Sequence, residues 1–244
     1  MGVVEGPGQE VSERQRRPSG PPTVPPGRGT PGITVAHAWR IVGGLSRTTK
    51  MPCHSWGLPA SACKTGAALV DLEGSVCHGC YARNHNYRWA RVRRANVQRL
   101  ANAEHPDWPG AMELLVDWQA QRNEEPYFRW FDSGDLQSAD MLERIVAVAR
   151  ATPYVHHWLP TREYALVGEY LGAAQPPENL VVRLSAPMVD GEPPDILGLP
   201  TSTVHSREAP RGYACPAYDC RPATCGPCRA CWDPTVPNVS YRRH

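Results

Sequence analysis

The sequence predicts an α/β fold: an incomplete TIM-like (β/α) barrel, with a cysteine-rich metal-binding segment at its C-terminal end and a disordered tail at its N-terminal end. Three observations predict it. From residue 127 onward, short apolar runs of strand composition alternate with segments of helical period, the pattern of a parallel sheet. Polar clusters follow each run, at the edge where barrels and open α/β sheets build their sites. The nine cysteines fall largely into two groups, Cys63 to Cys80 and Cys215 to Cys231. No G-x-G-x-x-G occurs, so a barrel fits better than a dinucleotide-binding fold. The expected organisation is a tail over residues 1–33, an α/β partial barrel carrying the first cysteine group over 34–210, and a cysteine-rich segment over 211–244.

The elements follow in order. The first 33 residues are rich in Pro, Gly, Arg and Glu, and bury too little apolar surface to offset the entropy of ordering. The folded part begins near residues 33–42. Residues 45–50 read as an irregular polar stretch, and Trp56-Gly-Leu-Pro59 as a fixed turn. Gly66 and Gly74 are expected to break any long element between Cys63 and Cys77. A helix is expected over 84–101, with Trp89, Val92, Val97, Leu100 and Ala101 near one face and Arg88, Arg91, Arg93, Arg94 and Arg99 largely elsewhere. A shorter helix covers 109–118, with Pro109 in its first turn. An aromatic strand at 127–131 ends in Asp132-Ser-Gly-Asp135. Ser138 caps a helix whose Leu142, Ile145, Val146 and Ala149 share a face. A second strand covers 154–159, and Thr161 caps a helix that Gly172 ends. Leu180-Val-Val-Arg-Leu184 is a third strand and residues 201–205 a fourth.

Composition bounds the function. A chain of 244 residues with 41% hydrophobic residues can build one domain with a real core, and a net charge of +2 does not by itself argue for nucleic acid. No stretch approaches the roughly 20 apolar residues of a membrane span, and the N-terminus lacks a signal-peptide core, so a cytoplasmic location is expected. An odd number of cysteines forbids complete internal pairing, and in a reducing compartment such groups bind metal or do chemistry. No Ser-His-Asp pattern, P-loop or H-E-x-x-H occurs, which leaves hydrolase and kinase chemistry without support.

Cys225-x-x-Cys228-x-x-Cys231 resembles the close-spaced run of bacterial ferredoxins, with Cys215 as a fourth ligand and Cys220 spare. Two successive C-x-x-C steps suit a 4Fe-4S cluster; zinc held tetrahedrally by four of these thiolates is the alternative. In the first group, Cys63, Cys77 and Cys80 on a four-iron cluster would leave one iron open. The alternative is that Cys53 joins them in a closed structural site. His78 is a candidate to support the ligands.

The chain resembles the phage gene product 88 family. The pieces that carry the resemblance are Ser46-Arg-Thr-Thr-Lys-Met-Pro52, Cys63-Lys-Thr-Gly66, Gly74-Ser-Val-Cys-His-Gly-Cys-Tyr-Ala82, Asn86-Tyr-Arg88 and Phe128-Arg-Trp-Phe-Asp-Ser-Gly-Asp135. They continue through His157-Trp-Leu-Pro-Thr-Arg-Glu-Tyr164, Val182-Arg-Leu-Ser-Ala-Pro-Met188, Ser202-Thr-Val-His205 and Cys228-Arg-Ala-Cys-Trp232. The resemblance implies a distant similarity to radical-SAM-like partial barrels, and a ligand set of Cys63, Cys77 and Cys80 plus Cys215, Cys225, Cys228 and Cys231. In that pattern glycine is common at Cys53, and Cys220 varies. S-adenosylmethionine is the further cofactor such a similarity would bring, but radical SAM enzymes use C-x3-C-x2-C, and here thirteen residues separate Cys63 from Cys77. A phage origin would place the protein in the cytoplasm of the bacterial host.

Candidate catalytic groups stand at the strand ends. Asp132 and Asp135 are placed to orient a ribose or amine or to move a proton, or else simply to form the turn. Arg162 is a fork for carboxylate or phosphate. His157 is either catalytic or an interior histidine. Arg183 interrupts an apolar run, so it needs an acid such as Asp132 or a bound anion. His205 ends the fourth strand and would face the same cleft. These readings describe an iron-sulfur oxidoreductase or isomerase acting on a small molecule or nucleotide. The alternatives are a zinc-stapled protein with its Arg-rich helix on nucleic acid, and an iron-sulfur redox sensor.

Overall fold

The structure, a computed structural model, describes residues 32–123 and 125–243. The expected tail, all but its last two residues, lies outside them. Helix α1 (Val35–Val42) opens the fold, its first turn closed by Thr34 Oγ1, which accepts from His37 N at 3.2 Å. Strands β1 (Ser46–Arg47) and β2 (His54–Trp56) pair antiparallel, where the sequence reads as irregular. Helices α2 (Lys64–Leu69), α3 (Ala90–Asn102) and α4 (Trp108–Ala120) follow before β3 (Tyr127–Trp130). Then come α5 (Ala139–Ala151), β4 (His156–Thr161), α6 (Tyr164–Ala173), β5 (Leu180–Val189), β6 (Thr201–His205), β7 (Tyr213–Ala214) and β8 (Asn238–Arg242).

The eight strands form one sheet in the order β1-β2-β3-β4-β5-β6-β8-β7. Every neighbouring pair but β1 and β2 is parallel. Strands β2 to β6 thus lie side by side in chain order, as the alternating pattern predicts. No helix joins β5 to β6, and the last strand slots between β6 and β7.

Strand alternation sorts the two faces. Phe128 and Trp130 of β3, His157 and Leu159 of β4, and Val182 and Leu184 of β5 are buried with the side chains of α1, α4, α5 and α6. The centre of this core is aromatic: Trp56 meets Trp108 and Trp130 edge-on at 5.3 and 6.3 Å between ring centroids. Ser138 caps α5 as expected, its Oγ accepting from Met141 N at 3.1 Å. On the other face, Trp158 and Val239 pack with Cys53, Cys231 and Trp232. The cysteine-rich segment therefore lies on the sheet rather than beside it.

Three local expectations are corrected. The segment 84–101 is not one helix: the chain turns tightly at Tyr81–Arg83 and His85–Arg88, and α3 begins only after the extended Trp89. Its inner face is polar. Asn96 and Arg99 are buried, while Trp89 and Val97 are 50% and 58% exposed. The reason is a hydrogen-bond set: Arg99 donates to Ser46 Oγ at 2.9 Å, Asn96 Oδ1 at 3.1 Å and Gly43 O at 3.3 Å, and Asn96 donates to Ser133 Oγ at 3.1 Å. Gly66, expected to break any long element between Cys63 and Cys77, lies inside the six-residue α2. Thr161 does not cap α6; its hydroxyl accepts from Glu163 N and donates to Asp135.

Arg183 is corrected as well. It is fully buried, and neither an acid nor an anion site meets it. Its Nη atoms donate to four carbonyl oxygens: Thr201 at 2.9 Å, Val236 at 3.0 Å, Asp233 at 3.0 Å and Ala230 at 3.1 Å. Three of those lie in the C-terminal segment, so Arg183 is a clamp on backbone, not a catalytic group. Replacing it by Leu leaves those carbonyls buried without donors, and the expected loss is about 3 kcal/mol or more. Urea denaturation of Arg183→Leu is expected to show it, and limited proteolysis is expected to cut first after residue 229.

His157 is an interior histidine. Its ring stacks on Trp130 at 5.9 Å, and Nε2 lies 2.9 Å from Thr152 Oγ1. The Thr152 hydroxyl spends its proton on Val148 O at 2.8 Å, so Nε2 is the donor and Nδ1 is bare. Nδ1 is buried with no partner, and burial pushes the imidazole down to about 3. A folded value below the unfolded one makes stability full above pH 6.5, lost as pH falls from there towards 3. His157→Phe is expected to flatten that part of the stability profile, measured by denaturation at stepped pH.

Candidate functional site

Cys63 ends a tight turn at Ala60–Ala62 and leads into α2. Cys77 is placed by the sheet. Val76 N donates to Pro187 O at 2.8 Å and Val189 N to Gly74 O at 2.9 Å, so residues 74–76 run along the far end of β5. Cys80 N closes a turn on Cys77 O at 3.2 Å. A Cβ on Gly66 would lie 2.9 Å from Cys63 Cβ, 3.7 Å from Cys63 Sγ and 3.6 Å from Cys77 Sγ. Two sulfurs far apart in sequence thus sit over one glycine, which is why that position carries no side chain.

The residues after Cys63 tie this group to the strand ends. Lys64 Nζ donates to Gln137 O at 2.7 Å, and Thr65 N and Oγ1 each donate to the Glu163 carboxylate at 2.9 Å. Asp135 accepts from Thr161 Oγ1 at 2.6 Å, Leu136 N at 2.8 Å and Arg162 N at 2.9 Å. Burial lifts its carboxyl to about 6 against the pull of those bonds. Arg162 Nε donates to Ala186 O at 3.2 Å. Burial, then the nearby charges of Asp135, Cys80, Cys77 and Glu163, push the Cys63 thiol up to about 12. The Cys77 thiol is raised by burial and eased by Arg162. Asp135 and Arg162 therefore gather with the three cysteines.

Asp132 stands one step away. Its carbonyl accepts from Tyr81 Oη at 2.7 Å, Tyr87 Oη lies 3.0 Å from Oδ2, and Oδ1 is buried without a partner. His205 turns to β8 instead, with Nδ1 2.8 Å from Ser240 Oγ. The expected convergence thus includes Asp135 and Arg162, reaches Asp132 through Tyr81 beside Cys80, and does not include Arg183.

The second group gathers around the C-terminal segment. Cys225 N donates to Lys50 O at 2.8 Å, Cys228 N to Cys225 O at 3.0 Å, and Cys215 N to Ser240 O at 2.9 Å. Cys231 Sγ lies 3.2 Å from Tyr241 Oη. Cys53 belongs here, not with Cys63: it packs with Cys231, Cys215 and Cys228, and its thiol is pushed up to about 12 by burial, with Cys225 and Cys231 adding to the rise. Cys231 is likewise pushed up to about 12 by burial. Cys220 is exposed, facing only the carbonyls of Ala217 and Thr224.

Both groups are built of sulfur, the soft donor that suits zinc or iron-sulfur chemistry, and thiols as high as those of Cys53, Cys63 and Cys231 would release their protons to a bound cation. Among the described residues no three or more His, Cys, Asp and Glu side chains are disposed to hold a single metal ion. The sulfurs fit a sulfide-bridged cluster by donor type, with ligands drawn from several loops.

Arg129 went unremarked in the sequence. It alternates out of the aromatic strand onto the cysteine face, over the Trp158 ring at 4.5 Å, and donates to Phe131 O at 3.3 Å. Its charge bears on Cys53 and Cys225 on one side and on Tyr81 on the other. The signal was a lone arginine between aromatics at strand period.

The architecture and site define a mixed α/β protein with two cysteine-rich groups on one largely parallel sheet. The family model described as Gene product 88 matches residues 33–234, and the chain belongs to that family. No curated protein and no solved structure matches. Among the described residues no helix is long and apolar enough to cross a membrane.

The thiols should differ in reactivity. Alkylation of the folded protein near neutral pH, read by peptide mass spectrometry, is expected to label Cys220 first and Cys53 and Cys231 last. Early labelling of Cys53 would contradict its burial.

Proposed function

We propose that the protein is an iron-sulfur redox enzyme on a partial barrel, acting on a small molecule or nucleotide. Cys63, Cys77 and Cys80 would hold one cluster, and Cys215, Cys225, Cys228 and Cys231 a second. The single observation that carries this reading is the first group: Cys63 and Cys77 meet over Gly66 at the ends of parallel strands, beside Asp135, Arg162 and Glu163. A staple alone would not need a carboxyl raised towards neutral, an arginine and a hydrogen-bonded glutamate around it. Such a cluster, when bound, supplies one-electron chemistry and an iron with room for a ligand.

The chain's own residues have separate tasks. Glu163 fixes the start of α2 through Thr65, and so fixes Cys63. Asp135, lifted by burial to about 6, can hold or give a proton near neutral pH. Arg162 lies where a carboxylate or phosphate would meet its remaining donors. The chain-order parallel strands support the likeness to radical SAM barrels; the long Cys63 to Cys77 interval sets the chain apart from them. A cytoplasmic location goes with this reading, since its thiols must stay reduced.

The test is iron, acid-labile sulfide and visible absorption after anaerobic purification. Brown protein with iron and sulfide for two clusters is the expected result. Cys63→Ser with Cys77→Ser should lose one cluster's iron and sulfide and keep the other's. Colourless protein with stoichiometric zinc after anaerobic reconstitution would replace this reading with a zinc-stapled one.

A further inference from the structure

Between Gly74 and Ala103 the chain has no Asp or Glu, yet it carries Arg83, Arg88, Arg91, Arg93, Arg94 and Arg99. Arg99 is buried and spent on Ser46, Asn96 and Gly43. The other five are exposed, and among the described residues none of them forms an ion pair. The surface of this segment thus carries five exposed arginines and no acid of its own, in a chain whose net charge is only +2.

The same surface exposes apolar and aromatic groups. Trp89 is 50% exposed with the Arg91 guanidinium 4.9 Å from its ring centroid, and Val97 is 58% exposed. A half-exposed tryptophan flanked by arginines costs hydration, and α3 is anchored instead by the buried Asn96 and Arg99. Interleaved arginines and a free ring face are what a flexible polyanion with stackable bases requires.

We propose that this face binds single-stranded nucleic acid, with Arg83, Arg88, Arg91, Arg93 and Arg94 on phosphates and Trp89 stacked against a base. The surface starts three residues after Cys80, so a bound strand runs towards the first cysteine group. The proposal does not depend on which metal that group holds.

The test is fluorescence anisotropy of the full chain with a labelled oligothymidylate of about 16 nucleotides. Binding is expected to weaken about 50-fold between about 50 and 200 mM salt, the fall for about four phosphate contacts at a slope of roughly −0.7 each. The triple variant Arg91→Ala, Arg93→Ala, Arg94→Ala should bind about tenfold or more weaker with a shallower salt slope, and the triple Lys variant should bind nearly as wild type. Trp89→Ala should lose about tenfold on the single strand. Circular dichroism melts should be unchanged in all, since these side chains are exposed and Ala favours a helix. No binding by wild type at about 50 mM salt, binding insensitive to salt, or wild-type affinity in the triple Ala variant would overturn the proposal. Equal affinity for a duplex with no effect of Trp89→Ala would overturn its single-stranded part.

Discussion

The Arg183 guanidinium sits inside the sheet with no carboxylate paired to it among the described residues, and its Nη donors are taken up by the carbonyls of Thr201, Ala230, Asp233 and Val236, while Nε is buried without a partner. A buried charge of this kind is costly, several kcal/mol before compensation. Four charge-assisted hydrogen bonds offset that cost only if every carbonyl stays in place. The C-terminal segment is therefore fixed to β5 by geometry that tolerates little drift. Trp232 extends the same attachment, donating Nε1 to Phe128 O at 2.9 Å while its ring meets Tyr127 and Trp158. With residues 230–237 held, β8 can enter between β6 and β7, and Cys231 is carried to the sheet face beside Cys53.

The two sulfur centres are thus held by different means. The second depends on a buried arginine and a packed tryptophan. The first depends on a backbone ladder, residues 74–76 along β5, and on a glutamate that grips the start of α2. Burial raises the thiols of Cys63 and Cys77 in the first and of Cys53, Cys215, Cys225 and Cys231 in the second, so the protein alone favours these six as neutral thiols. A bound cation would reverse that preference, and ligation would then be coupled to the stability of the segments that carry the cysteines. Arg129, stacked on Trp158, is a cation whose field reaches Cys53 and Cys225 of the second centre and Tyr81 beside Cys80 of the first.

Much of the fold was legible in the sequence because its signals were local. Strand runs at 127–131, 180–184 and 201–205, the Ser138 cap and the strand-helix alternation all follow from periodicity and capping chemistry over a few residues. Helix α3 misled for the same reason. Its apolar residues mark a plausible face, and Leu100 does pack on the core, but Arg99 and Asn96 found partners in Gly43, Ser46 and Ser133, and those long-range bonds left Trp89 and Val97 outside. Of the site, the cysteines were plain from spacing, and Asp135 and Arg162 from their places after strands. Arg183 and His157 were ambiguous until their partners were visible, since an isolated buried polar residue in a strand carries no sign of what satisfies it.

By itself the sequence determined the class of fold, the parallel order, the two cysteine groups and the family. The first three rest on composition, period and spacing, and the family on its resemblance in the motifs from Ser46 to Trp232, all of which the chain carries wherever it folds. Only the tertiary structure decided that Cys53 joins the C-terminal group, that Gly66 lies beneath two sulfurs, that Arg183 grips backbone rather than substrate, and that Arg99 of α3 is buried against Gly43 and Ser46. Each of those is a contact between residues distant in the chain, and such contacts are selected by what else can satisfy a buried donor or fill a space, which no local pattern encodes.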